Sequence, residues 1–198
     1  MKHSIIASLA LLVPAVAAAQ PGAYAPPPPP PPPGYYAQPV AAPEPVRRGF
    51  LIGFSLGAGS ITCDECTDSL DGIALDIHLG GMITPRLALM FDGMGVAHSF
   101  ENGGGTLIHV VDTFAAQYWV TPQFWIKGGV GIGRLSVNDA DGEEVVASET
   151  GSAAMFGIGY ELVSSRTFAL DLQLRGAVAH YDGGDIQMGS LNLGVNWY

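Results

Sequence analysis

Large apolar side chains recur at every second position in eight successive stretches between residue 49 and the end of the 198-residue chain. In the first stretch these positions are Phe50, Ile52, Phe54 and Leu56. Successive side chains of a β-strand point to opposite faces, so a period of two predicts a strand with one apolar face. Eight such stretches predict an all-β chain of eight antiparallel strands.

The connections between these stretches alternate in length. Three of them are tight turns, at 84–85, 121–123 and 164–167. Four are longer and polar, and they cover 60–71, 98–105, 138–151 and 182–185. Short turns on one side, long loops on the other and an even strand count are typical of outer-membrane barrels. The side with the short turns and both termini would then face the periplasm, and the long loops would be extracellular.

Composition indicates which strand face points outward. The chain is 48% hydrophobic and 13% charged, and it contains 27 glycines. The face opposite the apolar one carries Gly, Ala and a few charges, whereas a soluble sandwich or lipocalin-like barrel would need many Lys and Glu there. Small residues suit the interior of an eight-stranded barrel, which has room only for side chains. We therefore expect an up-and-down transmembrane β-barrel whose apolar face points toward lipid.

Aromatic residues gather near the turn side of the stretches, where we expect an interfacial girdle. They are Phe50, Tyr118, Trp119, Phe124, Trp125, Phe168, Trp197 and Tyr198. Asp112 interrupts the apolar face of the fourth stretch, and we expect it at the edge of the apolar band.

Residues 48–198 resemble the small outer-membrane β-barrel superfamily, which includes the outer-membrane protein A transmembrane domain and the protein X type. The resemblance rests on the strand pattern, the Thr-Pro turns and the aromatic end Gly194-Val195-Asn196-Trp197-Tyr198. It implies an eight-stranded transmembrane barrel. It also implies that the carboxyl end is a signal for the barrel-insertion machinery, which would be a partner during biogenesis.

The first 47 residues differ from the rest. Residues 1–19 join a positive start to an apolar run and a small-residue end, which predicts a cleaved secretory signal peptide. Residues 20–47 contain eight consecutive prolines, which form an extended rod and cannot join a sheet. We interpret 20–47 as a disordered, Pro-rich periplasmic linker. Without Lys2 the formal charge is 7 − 18 = −11, which argues against nucleic acid as a partner.

The inward faces carry charged side chains that must pair with one another in a narrow interior. They are Asp76, Asp92, Lys127, Glu161, Asp171 and Arg175. Counting residues from the turns places Lys127 and Glu161 at similar heights, which predicts an ion pair between them with Asp171 nearby. Arg175 lies higher, and we expect it to reach Asp92 or Asp76. We interpret the network as a polar plug, with a gate or proton path as the alternative.

The long loops hold 12 of the 18 acidic residues and no Lys or Arg. We expect this surface to attract Ca²⁺ or Mg²⁺, which would bridge it to outer-membrane lipid and lipopolysaccharide, without a defined metal site or a cofactor. Cys63 and Cys66 in the first loop predict a structural disulfide in an oxidising envelope. Redox activity, or half of a zinc site, is the alternative for this CxxC pair.

Three functions are compatible with such a chain. The first is a non-enzymatic barrel with a structural, envelope-integrity or surface-interaction role. The second is a narrow pore for ions or small solutes. The third is an enzyme that modifies lipid A, for which His98-Ser99 with Glu101, or His180 with Asp182, are the local candidates. Neither set has the spacing of a nucleophile, base and orienting acid, so we expect no catalysis.

Overall fold

The computed structural model describes residues 46–64, 68–100, 105–139 and 144–198, with the backbone alone for 144–149. The described residues include no helix that is long and apolar enough to span a membrane. They form eight antiparallel strands in a single closed barrel, which confirms the predicted fold class. The strands are β1 (Phe50–Cys63), β2 (Leu70–Thr84), β3 (Leu87–Ser99), β4 (Thr106–Trp119), β5 (Phe124–Asn138), β6 (Glu144–Ser164), β7 (Phe168–Tyr181) and β8 (Gly184–Trp197).

Each strand pairs with its neighbour in sequence, and β1 pairs with β8 to close the ring. Following register partners once around the barrel from Phe50 leads back to β1 at Ser60, a shift of 60 − 50 = 10 residues. Such a shear means that the strands are tilted relative to the barrel axis. Residues that are register partners therefore lie at different heights along that axis.

The two faces of the strands divide as the alternation predicts. Large apolar side chains point outward, and Phe91 and Val130 are each 70% exposed. The opposite positions are buried inside the ring, where both charged and apolar side chains fill the space. This arrangement inverts that of a water-soluble domain and gives the barrel an apolar outer wall. We call the end with the connections 85–86, 120–123 and 165–167 the turn end, and the opposite end the loop end.

All four long loops are shorter than the sequence predicts, since the strands leave only 64–69, 100–105, 139–143 and 182–183 as connections. β1 continues to Cys63, and β6 begins at Glu144 rather than after residue 151. The predicted loop 138–151 is therefore wrong, because residues 144–151 continue the β5–β6 hairpin at the loop end. Hydrogen-bonded pairing between neighbouring strands does not require apolar side chains once the outward surface no longer needs to be apolar.

The aromatic girdle at the turn end is smaller than predicted. Phe50, Tyr118 and Trp197 point outward, but Trp119 and Trp125 are 0% and 1% exposed and lie inside the barrel. Trp119 directly follows Tyr118, so strand geometry must send the two rings to opposite faces. An indole N–H needs an acceptor when buried. The acceptors here are carboxylates of the lumen.

Candidate functional site

Two acidic and two basic side chains meet near the middle of the lumen. Lys127 Nζ lies 2.8 Å from Asp92 Oδ2, and both side chains are fully buried. Arg175 reaches across from β7 to contact Asp92 as well, and its NH1 atom lies 2.8 Å from Asp76 Oδ1. The formal charges of these four side chains cancel. We call Asp76, Asp92, Lys127 and Arg175 the central cluster.

Neutral donors also bind Asp76 of the central cluster. Asn192 Nδ2 donates to Asp76 Oδ2 over 2.8 Å, and Ser55 Oγ donates to the same oxygen. His78 lies beside the cluster, with its Nε2 atom 2.7 Å from Asn196 Oδ1. A buried carboxylate is stable only when its oxygens accept such bonds or face cations. The carboxylates of Asp76 and Asp92 thus find their partners among the side chains of the lumen.

Arg175 lies between Asp76 and Asp92, the two partners expected from its height. The predicted Lys127–Glu161 pair is wrong. The backbone N–H of Glu161 bonds to Gln123 O, before β5 begins, whereas the register partner of Lys127 is Gly157. Counting residues from the turns ignored the tilt of the strands and the length of the turn at 120–123. Glu161 consequently lies closer to the turn end than Lys127 does.

Among the described residues, only neutral donors are seen on the carboxylate of Asp171. Its carboxylate accepts bonds from Gln173 Nε2 at 2.8 Å, from Trp125 Nε1 at 2.9 Å and from Asn196 Nδ2 at 3.1 Å. Three neutral N–H donors thus replace the nearby ion pair that the sequence predicts. This site explains why Trp125 turns inward, because its indole N–H bonds to a carboxylate that otherwise lacks a strong partner.

Glu161 is held at the turn end by Arg47, a residue that the sequence assigns to the linker. The Arg47 guanidinium donates to Glu161 Oε2 at 2.5 Å and to Pro122 O at 2.6 Å, and Arg47 is only 2% exposed. It also lies over the ring of Trp119, 4.7 Å from the centroid. The side chain of Arg47 is therefore part of the barrel interior.

Two aromatic donors bind the second oxygen of Glu161. Trp119 Nε1 and Tyr198 Oη lie 2.7 Å and 3.0 Å from Glu161 Oε1. Burial and the adjacent Glu161 carboxylate raise the pKa of Tyr198, so its hydroxyl stays protonated and donates. The last residue of the chain thus turns inward beneath the barrel. We call Arg47, Trp119, Glu161 and Tyr198 the floor.

Apolar side chains close the lumen on the other side of the central cluster, toward the loop end. His109 forms a hydrogen bond with Tyr181 of this apolar layer, and its Nε2 atom lies 2.9 Å from Tyr181 Oη. The layer contains Ile61, Met94, Val96, Val111, Met155, Tyr181 and Met188, all at most 5% exposed. The central cluster is thus sealed between the apolar layer and the floor. Such packing leaves these lumen side chains almost no contact with water.

The candidate catalytic residues at the loop end do not assemble into a triad in the described part of the chain. His98 Nδ1 lies 2.6 Å from the backbone oxygen of Asp71. His180 pairs with Asp185 rather than with Asp182. Glu101 and Cys66 lie outside the described residues, so the Cys63–Cys66 disulfide stays a prediction. Within the described ranges no three His, Cys, Asp or Glu side chains form a metal-binding group.

No protein-family model and no curated protein matches the chain. Solved structures do match it. Neisserial surface protein A superimposes with a TM-score of 0.58 at 17% identity, over 75% of this chain and 96% of that one. Ail, the attachment invasion locus protein of Yersinia pestis, gives a TM-score of 0.53 at 14% identity, over 76% of this chain and 98% of that one.

The chain has the fold of the small outer-membrane β-barrels. In a barrel of this fold a lumen filled by side chains is the expected state. Sequence reasoning missed the floor, although a charge count could have found it. The predicted inward set holds four acids and only two bases, which indicates a further cation, and Arg47 lies three residues before β1 begins at Phe50.

The floor generates a prediction about stability. Arg47→Met removes the cation that binds the buried Glu161, so we expect the unfolding free energy to fall by about 3–5 kcal/mol. Urea titration in lipid vesicles, followed by tryptophan fluorescence and by the shift between folded and unfolded bands, measures this loss.

The neighbouring Arg48 supplies a matched control, because its side chain is exposed. Arg48→Met should change the unfolding free energy by less than about 0.5 kcal/mol. Adding Glu161→Gln to Arg47→Met should recover part of the loss, since no buried charge is then left without its partner. Equal effects of the two arginine variants would show that the floor does not stabilise the barrel.

Proposed function

We propose that this protein is an integral outer-membrane barrel with a closed lumen, which acts through its surface loops in envelope integrity or surface interaction. The filled lumen carries this proposal. A path for ions would have to cross both the central cluster and the apolar layer, where the side chains are packed almost without exposure. Such an interior is unsuited to a pore, and the described loop-end residues favour no catalytic set.

The apolar outer wall supports the membrane location. Large side chains on all eight strands are 40% exposed or more, which would cost too much in water and is favourable against acyl chains. In this proposal residues 1–19 direct export, the Pro-rich segment lies in the periplasm with both termini, and the loops are extracellular. Trp197, which points outward at the end of β8, would be the aromatic that the barrel-insertion machinery reads.

Charge separates the two ends of the barrel. Asp64, Asp68 and Asp71 lie at the loop end, whereas exposed Arg86 and Arg166 lie at the turn end. One structure of Ail is a complex with sucrose octasulfate, a heparin analogue. The acidic loop end of this chain would repel such a polyanion. We propose instead that Ca²⁺ or Mg²⁺ bridges these carboxylates to the phosphates of lipopolysaccharide, or that a cationic surface partner binds them.

A closed lumen predicts the absence of conductance. Purified, folded protein inserted in a planar bilayer should give no stable single-channel steps in potassium chloride, because the charged interior is dry and compensated. A general porin inserted under the same conditions controls for successful incorporation. Reproducible, cation-selective steps that scale with salt concentration would establish the pore instead.

The orientation predicts opposite responses to two proteases. Trypsin should leave the protein intact in whole cells, because the loops contain no Lys or Arg. After the outer membrane is permeabilised, trypsin should remove the linker at the exposed Arg48. A glutamate-specific protease should cut loop residues in intact cells. Trypsin cleavage in intact cells would mean that the turn end faces outward.

A further inference from the structure

The outer wall carries a charged pair in the midst of apolar side chains. Asp112 lies on the outward face of β4, between Val110 and Phe114. Arg134 of β5 binds the carboxylate of Asp112. The side chain of Asp112 remains 40% exposed and that of Arg134 52%. The sequence predicts Asp112 at the edge of the apolar band but does not predict its pairing with Arg134. A carboxylate that faces acyl chains is costly unless it is paired, and Arg134 accordingly contacts it.

Two grooves in the apolar wall meet beside Asp112. One has a volume of about 770 Å³ and the other about 480 Å³, and both are lined by Ile77, Gly93 and Asp112. The depression exists because β3 presents Gly93 and Gly95 outward, between larger side chains of β2 and β4. Phe91, which is 70% exposed, stands as a ridge at one end of the depression.

We propose that this face, formed by Gly93, Gly95, Asp112 and Arg134, docks a second copy of the same chain about a two-fold axis along the membrane normal. A two-fold axis brings equal heights together, so that residue i of one copy meets residue j of the other and the reverse. The ion pair is suited to such a contact. Arg134 of each copy can also bind Asp112 of the other, which creates a ring of two guanidinium and two carboxylate groups with no net charge.

Charge favours a second copy over an anionic lipid. The guanidinium of Arg134 already binds a carboxylate, so a phosphate would be repelled by Asp112 at the same site. Acyl chains could fill the grooves, but they offer no donor to Asp112. Between membrane-embedded surfaces, association is driven by close packing at small residues and by polar contacts. Gly93 and Gly95 supply the first of these conditions, and the Asp112–Arg134 pair supplies the second.

This inference rests on the proposed membrane location, and disulfide cross-linking in isolated outer membranes tests it separately. A Cβ at Gly95 would meet its nearest neighbour, Val110 Cγ2, at 3.5 Å, so Gly95→Cys fits the wall. The matched control is Val178→Cys on β7, an outward position on the opposite wall. The unsubstituted chain controls for Cys63 and Cys66. Gly95→Cys should form covalent dimers at least about fivefold more than Val178→Cys.

Neutralising the ion pair tests the charge ring. In the Gly95→Cys background, Asp112→Asn with Arg134→Gln should reduce the dimer about fivefold or more. The swapped pair, Asp112→Arg with Arg134→Asp, should retain it, because the ring keeps its alternation. Heat-modifiable migration shows that each variant is folded.

Failure of the chain to reach the outer membrane would refute the proposed function, whereas membrane-inserted protein with equal cross-linking at Gly95 and Val178 would overturn the dimer alone. Phosphate-bearing lipid retained by the unsubstituted protein but lost from the neutral variant would also overturn the dimer and identify lipid as the occupant.

Discussion

The interior of an eight-stranded barrel has room for side chains but not for a column of water, and this constraint governs the rest of the structure. Every inward charge must find its partners among other inward side chains. Arg175 does so by contacting Asp76 and Asp92 together, and Lys127 binds the second carboxylate oxygen of Asp92. The central cluster links β2, β3, β5 and β7, so the same contacts that compensate charge also tie opposite walls of the barrel together.

The lumen is organised in layers because different side chains meet the constraint in different ways. Ion pairs occupy the middle, methionine and aliphatic side chains fill the loop end, and a carboxylate bound by Arg47 closes the turn end. Because side chains fill the interior, other molecules can bind this protein only at its outer surface. The acidic loop end and the apolar wall around Asp112 are the surfaces that remain.

Much of the fold could be predicted from the sequence, because alternate residues of each strand point either into the lumen or to the outer wall. The partners inside the ring could not, because they depend on strand tilt. Lys127 and Glu161 have similar residue counts from their turns, yet the ten-residue shear and the turn at 120–123 separate them. Residue type alone predicts Trp119 and Trp125 in the girdle, although alternation with Tyr118 and Phe124 sends them inward. Arg47 lies before the periodic region, where alternation does not report facing and only the excess of inward acids indicates a further lumen cation.

A double-mutant cycle on Lys127 and Asp92 tests most directly whether the lumen is dry and compensated. The measured quantity is the unfolding free energy in lipid vesicles for Lys127→Met, Asp92→Asn and the double variant. A sealed interior predicts that each single change costs about 3–5 kcal/mol and that the double variant loses much less than the sum of the two. Additive losses of less than about 1 kcal/mol each, as for exposed ion pairs, would mean that water reaches the cluster and that the lumen is open.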